Sequence, residues 1–130
     1  RSLSSAASDV YKRQDINSPE KSACEGLMRD AILRNLELLS EGEKVMLKLT
    51  LPEEDNFYSG LVESEKILRV VALSGGYSRE EANARMSRNS GVVASFSRAL
   101  TEGLSAQQSQ SEFDSLLNSS IQSIFDASNT

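Results

Sequence analysis

Val45-Met46-Leu47-Lys48-Leu49-Thr50 is the stretch on which the fold turns: a short, mostly apolar run that carries one lysine and ends just before Pro52. Its length and apolar density predict a strand buried on both faces, as in parallel sheets covered by helices. Alternation puts Met46, Lys48 and Thr50 on one face and Val45, Leu47 and Leu49 on the other. Lysine is rarely buried, because its ammonium loses hydration. If the odd-numbered face packs against helices, Lys48 points inward near the C-terminal end of the strand. Substrates enter barrel enzymes from that end. A neutral amine, the form that partial desolvation or a neighbouring cation favours, attacks a carbonyl and forms an imine. The competing reading is a lysine on an edge strand that reaches solvent.

Working outward, Arg69-Val70-Val71-Ala72-Leu73 is a second strand and Val92-Val93-Ala94-Ser95-Phe96 a third. Strand starts at 45, 69 and 92 are nearly evenly spaced, with a helical segment in each gap, which predicts parallel βα units. Upstream, Ser18-Pro19-Glu20 marks a helix start. Cys24, Leu27, Met28, Ala31, Ile32, Leu36 and Leu39 form its apolar stripe, and Gly42 its stop. Residues 53–62 read as a short helix or a turn-rich crossover. Another helix opens at Ser78, with Glu81 placed to close a capping box and Ala82 and Met86 facing inward. The last begins at Ser109, paired with Glu112, and buries Phe113, Leu116, Leu117, Ile121, Ile124 and Phe125. Three parallel strands alone leave two exposed edges, so the pattern predicts part of a closed barrel.

Two strand ends complement the amine. Ser74-Gly75-Gly76 offers a hydroxyl and close backbone N–H groups to an anion, although the same residues make a plain strand-to-helix turn. Ser97-Arg98 offers a guanidinium and the start of a short helix, although Arg98 also fits a surface ion pair. An amine on one strand end and anion-binding groups on the next two predict a sugar phosphate as the substrate class.

Composition narrows the field. The 130 residues carry a net charge of -5, which argues against a broad nucleic-acid surface. There is no histidine for acid/base or metal chemistry, and the single cysteine, Cys24, cannot form an internal disulfide. No apolar stretch approaches the roughly 20 residues of a membrane span, and no signal-peptide core is present. A cytoplasmic protein without nucleic-acid or membrane partners is the expectation. Residues 1–14 show no helical or strand period and resemble translated adapter or vector sequence; they are expected to be a disordered leader outside the folded region.

Three motifs now carry a resemblance. The runs Val45 to Thr50, Val71-Ala72-Leu73-Ser74-Gly75-Gly76-Tyr77-Ser78-Arg79-Glu80 and Ala94-Ser95-Phe96-Ser97-Arg98-Ala99-Leu100 resemble class I fructose-1,6-bisphosphate aldolases of the bacterial type. Asp15-Ile16-Asn17 is similar to the segment after the family's fifth barrel strand, and Ile124-Phe125-Asp126-Ala127-Ser128 to its C-terminal helix. The resemblance covers residues 15–130 in one register and implies an α/β fold: the C-terminal part of a (β/α)8 barrel, strands six to eight with flanking helices. It further implies that Lys48 forms the imine with the ketose. Ser74, Gly75 and Gly76 would bind phosphate, as would Arg98 and the backbone N–H of Ser97. The implied reaction is reversible cleavage of fructose 1,6-bisphosphate to dihydroxyacetone phosphate and glyceraldehyde 3-phosphate, with no metal and no cofactor. The early strands and the fifth-strand glutamate that such an enzyme uses for proton transfer have no counterpart here. A fragment without aldolase activity of its own is therefore expected. Alternatives are another Schiff-base sugar-phosphate aldolase, or a non-catalytic phosphometabolite-binding or scaffolding protein. The oligomeric state is left open.

Overall fold

The computed structural model describes residues 8–130, with side chains and burial described from residue 12 onward. Its elements run β1 (Ser8–Lys12), α1 (Lys21–Leu36), β2 (Val45–Thr50), α2 (Ser59–Val62), β3 (Ile67–Leu73), α3 (Arg79–Met86), β4 (Val93–Ala94), α4 (Arg98–Thr101) and α5 (Gln110–Ser128). The four strands form one sheet in the order β1-β2-β3-β4, every pair parallel. A helix lies in each connection, as parallel pairing requires. The sheet is open, with β1 at one edge and β4 at the other.

Alternation along β2 falls as its sequence predicts. Leu47 and Leu49 have no exposed surface, and in register with Val70 and Ala72 they form the face covered by helices. Tyr58, Leu61, Ala82, Met86, Ala99 and Ala127 complete that core. Each fully buried leucine contributes about 2 kcal/mol of apolar burial. Lys48 lies on the opposite face beside Val71 and is only half-buried.

The predicted disordered leader is corrected in part. Residues 1–7 lie outside the described residues, but Ser8–Lys12 forms β1, paired with β2 from Ser8 opposite Val45 to Lys12 opposite Leu49. The sheet therefore has four strands where three were expected. Beyond the strand, the backbone N–H of Gln14 donates to Thr50 Oγ1 at 2.8 Å, which pins the exit of β1 to the end of β2.

Two further differences have physical causes. Only Val93–Ala94 of the third predicted strand is paired. There Ser128 Oγ accepts from the Ala94 N–H at 3.1 Å, so the end of α5 takes up a donor of that edge. In α1 the predicted stripe is imperfect: Met28, Ile32 and Leu36 pack on the core, whereas Cys24 is exposed and Leu27 is 73% exposed. The buried positions of its first turns are instead Lys21 and Glu25. The capping box at Ser109 forms in full, while at Ser78 only the hydroxyl half forms, because the Glu81 carboxylate turns to Arg85. Phe125 and Ile121 of the last apolar stripe are 61% and 49% exposed, so that stripe is only partly covered.

Candidate active site

The C-terminal ends of the parallel strands gather the predicted residues. A cleft of about 250 Å³ is lined by Lys48 from β2, by Leu73, Ser74 and Gly75 at the end of β3, and by Ser95, Ser97 and Arg98 after β4. Arg13, which follows β1, also lines it. Gly76 does not line this cleft. It lines an adjoining cavity of about 470 Å³ with Gly75, Arg98, Arg13 and residues 14–17. Lys48, Ser95 and Ser97 also border a third cavity of about 460 Å³, whose far wall is the apolar set Phe96, Leu100, Ile121, Ile124 and Phe125. The amine thus stands between a polar, cationic cleft and an apolar one.

The glycine turn is held by local geometry. The Tyr77 N–H donates to the Ser74 carbonyl at 3.0 Å, and Gly75 and Gly76 take φ values of 69° and 128°, both left-handed. A Cβ on Gly75 would lie 2.9 Å from Ile16 Cγ2 and 3.0 Å from Thr50 Cγ2. The segment after β1 therefore packs directly on this turn. We expect Gly75→Ala to cost about 1–2 kcal/mol from the backbone conformation alone, read as a lowered urea midpoint. Ser97, by contrast, opens only a four-residue helix and makes no side-chain cap.

A charged network lies behind the cleft. The Lys21 ammonium donates to Glu25, to the Leu51 carbonyl at 2.8 Å and to Glu53 at 3.0 Å. Glu25 in turn accepts from the Glu53 N–H at 3.1 Å. Glu53 also accepts from the Tyr77 hydroxyl at 3.1 Å and pairs with Arg85, whose guanidinium stacks 4.3 Å from the Tyr77 ring centroid. These contacts tie the segment just beyond Lys48 to the end of the glycine turn. Arg13 and this network are what sequence reading missed. For Arg13 the available signal was its place just ahead of Asp15-Ile16-Asn17.

The network also sets a pH response. Burial opposes ionisation of Glu53, but the hydrogen bond and charge of Lys21, with Tyr77 and Arg85, outweigh it and hold the carboxyl below its ordinary 4.5. Burial, opposed by Arg85 and reinforced by Glu53, pushes Tyr77 up to about 12. A depressed carboxyl stabilises the fold above its unfolded value, and that contribution is lost as pH falls through the lower folded value. A raised phenol stabilises below about 10, and the contribution is lost as pH rises from there toward 12. Urea midpoints measured across pH should therefore fall on both sides, with Glu53→Gln flattening the acid limb and Tyr77→Phe the alkaline one.

Parallel strands joined by helices, with an amine and a guanidinium gathered at their C-terminal ends, place this site where α/β barrels carry theirs. No protein-family model matches the chain. Among curated proteins it is 59% identical over 116 residues to the class 1 fructose-bisphosphate aldolase of Synechocystis sp., 53% over 114 residues to that of Porphyromonas gingivalis, and 51% over 116 residues to that of Clostridium acetobutylicum. These matches cover 88–89% of the chain, while the chain spans only 38–39% of the length of those relatives. The chain is homologous to the class I fructose-bisphosphate aldolases.

Proposed function

We propose that the chain is the C-terminal part of a class I aldolase (β/α)8 barrel, with Lys48 as the imine-forming lysine and Ser74, Gly75, Gly76, Ser97 and Arg98 as phosphate ligands. The observation that carries this reading is the single cleft lined by Lys48, Ser74, Gly75, Ser97 and Arg98. Three strand ends separated by more than 20 residues in sequence converge there, at the end of the sheet where barrel enzymes place their chemistry. The substrate is fructose 1,6-bisphosphate, and the protein acts in the cytoplasm without a metal or cofactor.

The chemistry follows from the groups present. The neutral amine adds to the ketose carbonyl, water leaves, and the protonated imine accepts the electron pair of the adjacent C–C bond as the aldehyde departs. Proton transfer at the sugar hydroxyl needs a positioned acid or base. No carboxylate lines the cleft around Lys48 among the described residues. The 130-residue chain by itself therefore binds the phosphate group but does not turn over.

The test grafts residues 15–130 onto the remainder of the Synechocystis relative and traps the protein with borohydride in the presence of dihydroxyacetone phosphate. A stable adduct on the peptide containing Lys48 is expected. Phosphate binding without any adduct would transfer the chain to the non-catalytic, phosphometabolite-binding class.

A further inference from the structure

We infer that Tyr77 is a positioning residue, which holds the glycine turn at a fixed distance from Lys48 through its hydrogen bond to Glu53. The inference rests on the reading of that turn as a phosphate site and of Lys48 as the imine-forming amine. A ketone phosphate held at the turn meets the amine only if the two strand ends keep their spacing.

The turn needs an outside brace. Two consecutive glycines leave residues 74–77 wide backbone freedom. Register between β2 and β3 ends at Thr50 opposite Leu73, and the Leu51 N–H then donates to the Leu73 carbonyl at 3.4 Å. Past that point Tyr77 carries the link. Its hydroxyl donates to Glu53 Oε1 at 3.1 Å, while the Arg85 guanidinium covers one face of its ring.

Glu53 is a fixed anchor, although it is exposed. Its Oε1 also accepts from the Lys21 ammonium at 3.0 Å, and its N–H donates to the buried Glu25. Arg85 reaches both the Glu53 carboxylate and the Pro52 carbonyl, at 3.4 and 3.3 Å. Glu53 therefore keeps its place relative to the end of the strand that carries Lys48, and Tyr77 passes that placement to the turn. On the far side the Arg79 N–H donates to Glu102 at 2.8 Å, and its guanidinium to the Ala99 and Glu102 carbonyls at 3.3 and 3.0 Å. Those bonds tie the same segment to α4, so the Tyr77 hydroxyl is the contact that sets the turn against Lys48.

The test uses residues 15–130 grafted onto the remainder of the Synechocystis relative, with Tyr77→Phe, Glu53→Ala and Glu53→Gln. Rates of borohydride trapping at Lys48 are compared for dihydroxyacetone phosphate and dihydroxyacetone, both below saturation. Dihydroxyacetone has no phosphate for the turn to hold, so the placement of the turn does not affect it. Tyr77→Phe and Glu53→Ala should each slow trapping of the phosphorylated ketone about tenfold and leave the other within about twofold. Glu53→Gln keeps an acceptor oxygen for the phenol and should retain most of the parent rate. An equal fall for both ketones makes Tyr77 merely structural, and unchanged rates remove the brace. Either result overturns the inference while Lys48 and the turn keep their roles. A parent graft that traps both ketones equally fast overturns the phosphate reading of the turn, and the inference with it. Should Tyr77→Phe disturb the fold, Glu53→Ala decides by the same pattern.

Discussion

Replacing Lys48 by methionine, in residues 15–130 grafted onto the remainder of the Synechocystis relative, is expected to lower aldol cleavage roughly 10⁴-fold or more and to abolish the borohydride adduct. Phosphate affinity should change by less than about threefold, because Ser74, Gly75 and Arg98 remain in the cleft. The size of the effect follows from the chemistry. An imine-forming amine creates the electron sink for C–C cleavage, and no other amine lines this cleft among the described residues. Methionine keeps the unbranched length, so a folding defect is not expected; the half-buried position tolerates an apolar chain facing the neighbouring apolar cavity. Arginine at the same position would keep the charge and still lose the adduct, separating nucleophile from cation. Turnover within tenfold of the parent in either variant would remove Lys48 from the reaction.

How much of this was legible in the residues differs by element. Lys48 stood out because Leu47 and Leu49 leave only one face for a charged side chain, and strand alternation is a two-residue period that short runs display cleanly. The turn at Gly75 and the cap at Ser109 were legible for the same reason: their chemistry is local. Ser8–Lys12 was not, since Ser-Asp-Val-Tyr-Lys shows no alternation and becomes a strand through pairing with β2. With that strand missed, Arg13 could not be placed in the cleft. The face of α1 failed for another reason. Hydrophobic periodicity counts lysine and glutamate as outward, yet Lys21 and Glu25 lie inward because each supplies the other's counter-charge. A pattern that scores residues singly cannot register a pair.

That pair sets the largest expected effect on stability. Lys21 is 3% exposed and Glu25 1%. Lys21→Met would leave the Glu25 carboxylate buried without its cation and the Leu51 carbonyl without its donor. Breaking a buried pair from one side costs about 3–5 kcal/mol, because the remaining charge keeps its desolvation penalty. Small domains have roughly 5–15 kcal/mol in total, and an open sheet with two strand edges belongs at the low end. Lys21→Met in the 130-residue chain should therefore remove most of the cooperative urea transition at 25 °C. Glu53→Gln should do far less, since that carboxylate is 36% exposed and water replaces part of what it loses. The decisive comparison is the double variant Lys21→Met with Glu25→Leu. Replacing both charges with apolar groups of similar volume removes the stranded carboxylate, so most of the lost stability should return despite the missing bonds to the Leu51 carbonyl and the Glu53 N–H. If the double variant were as unstable as Lys21→Met alone, the cost would lie in the backbone groups left without partners, the Leu51 carbonyl and the Glu53 N–H. The pair would then be a by-product of holding the chain just beyond Lys48.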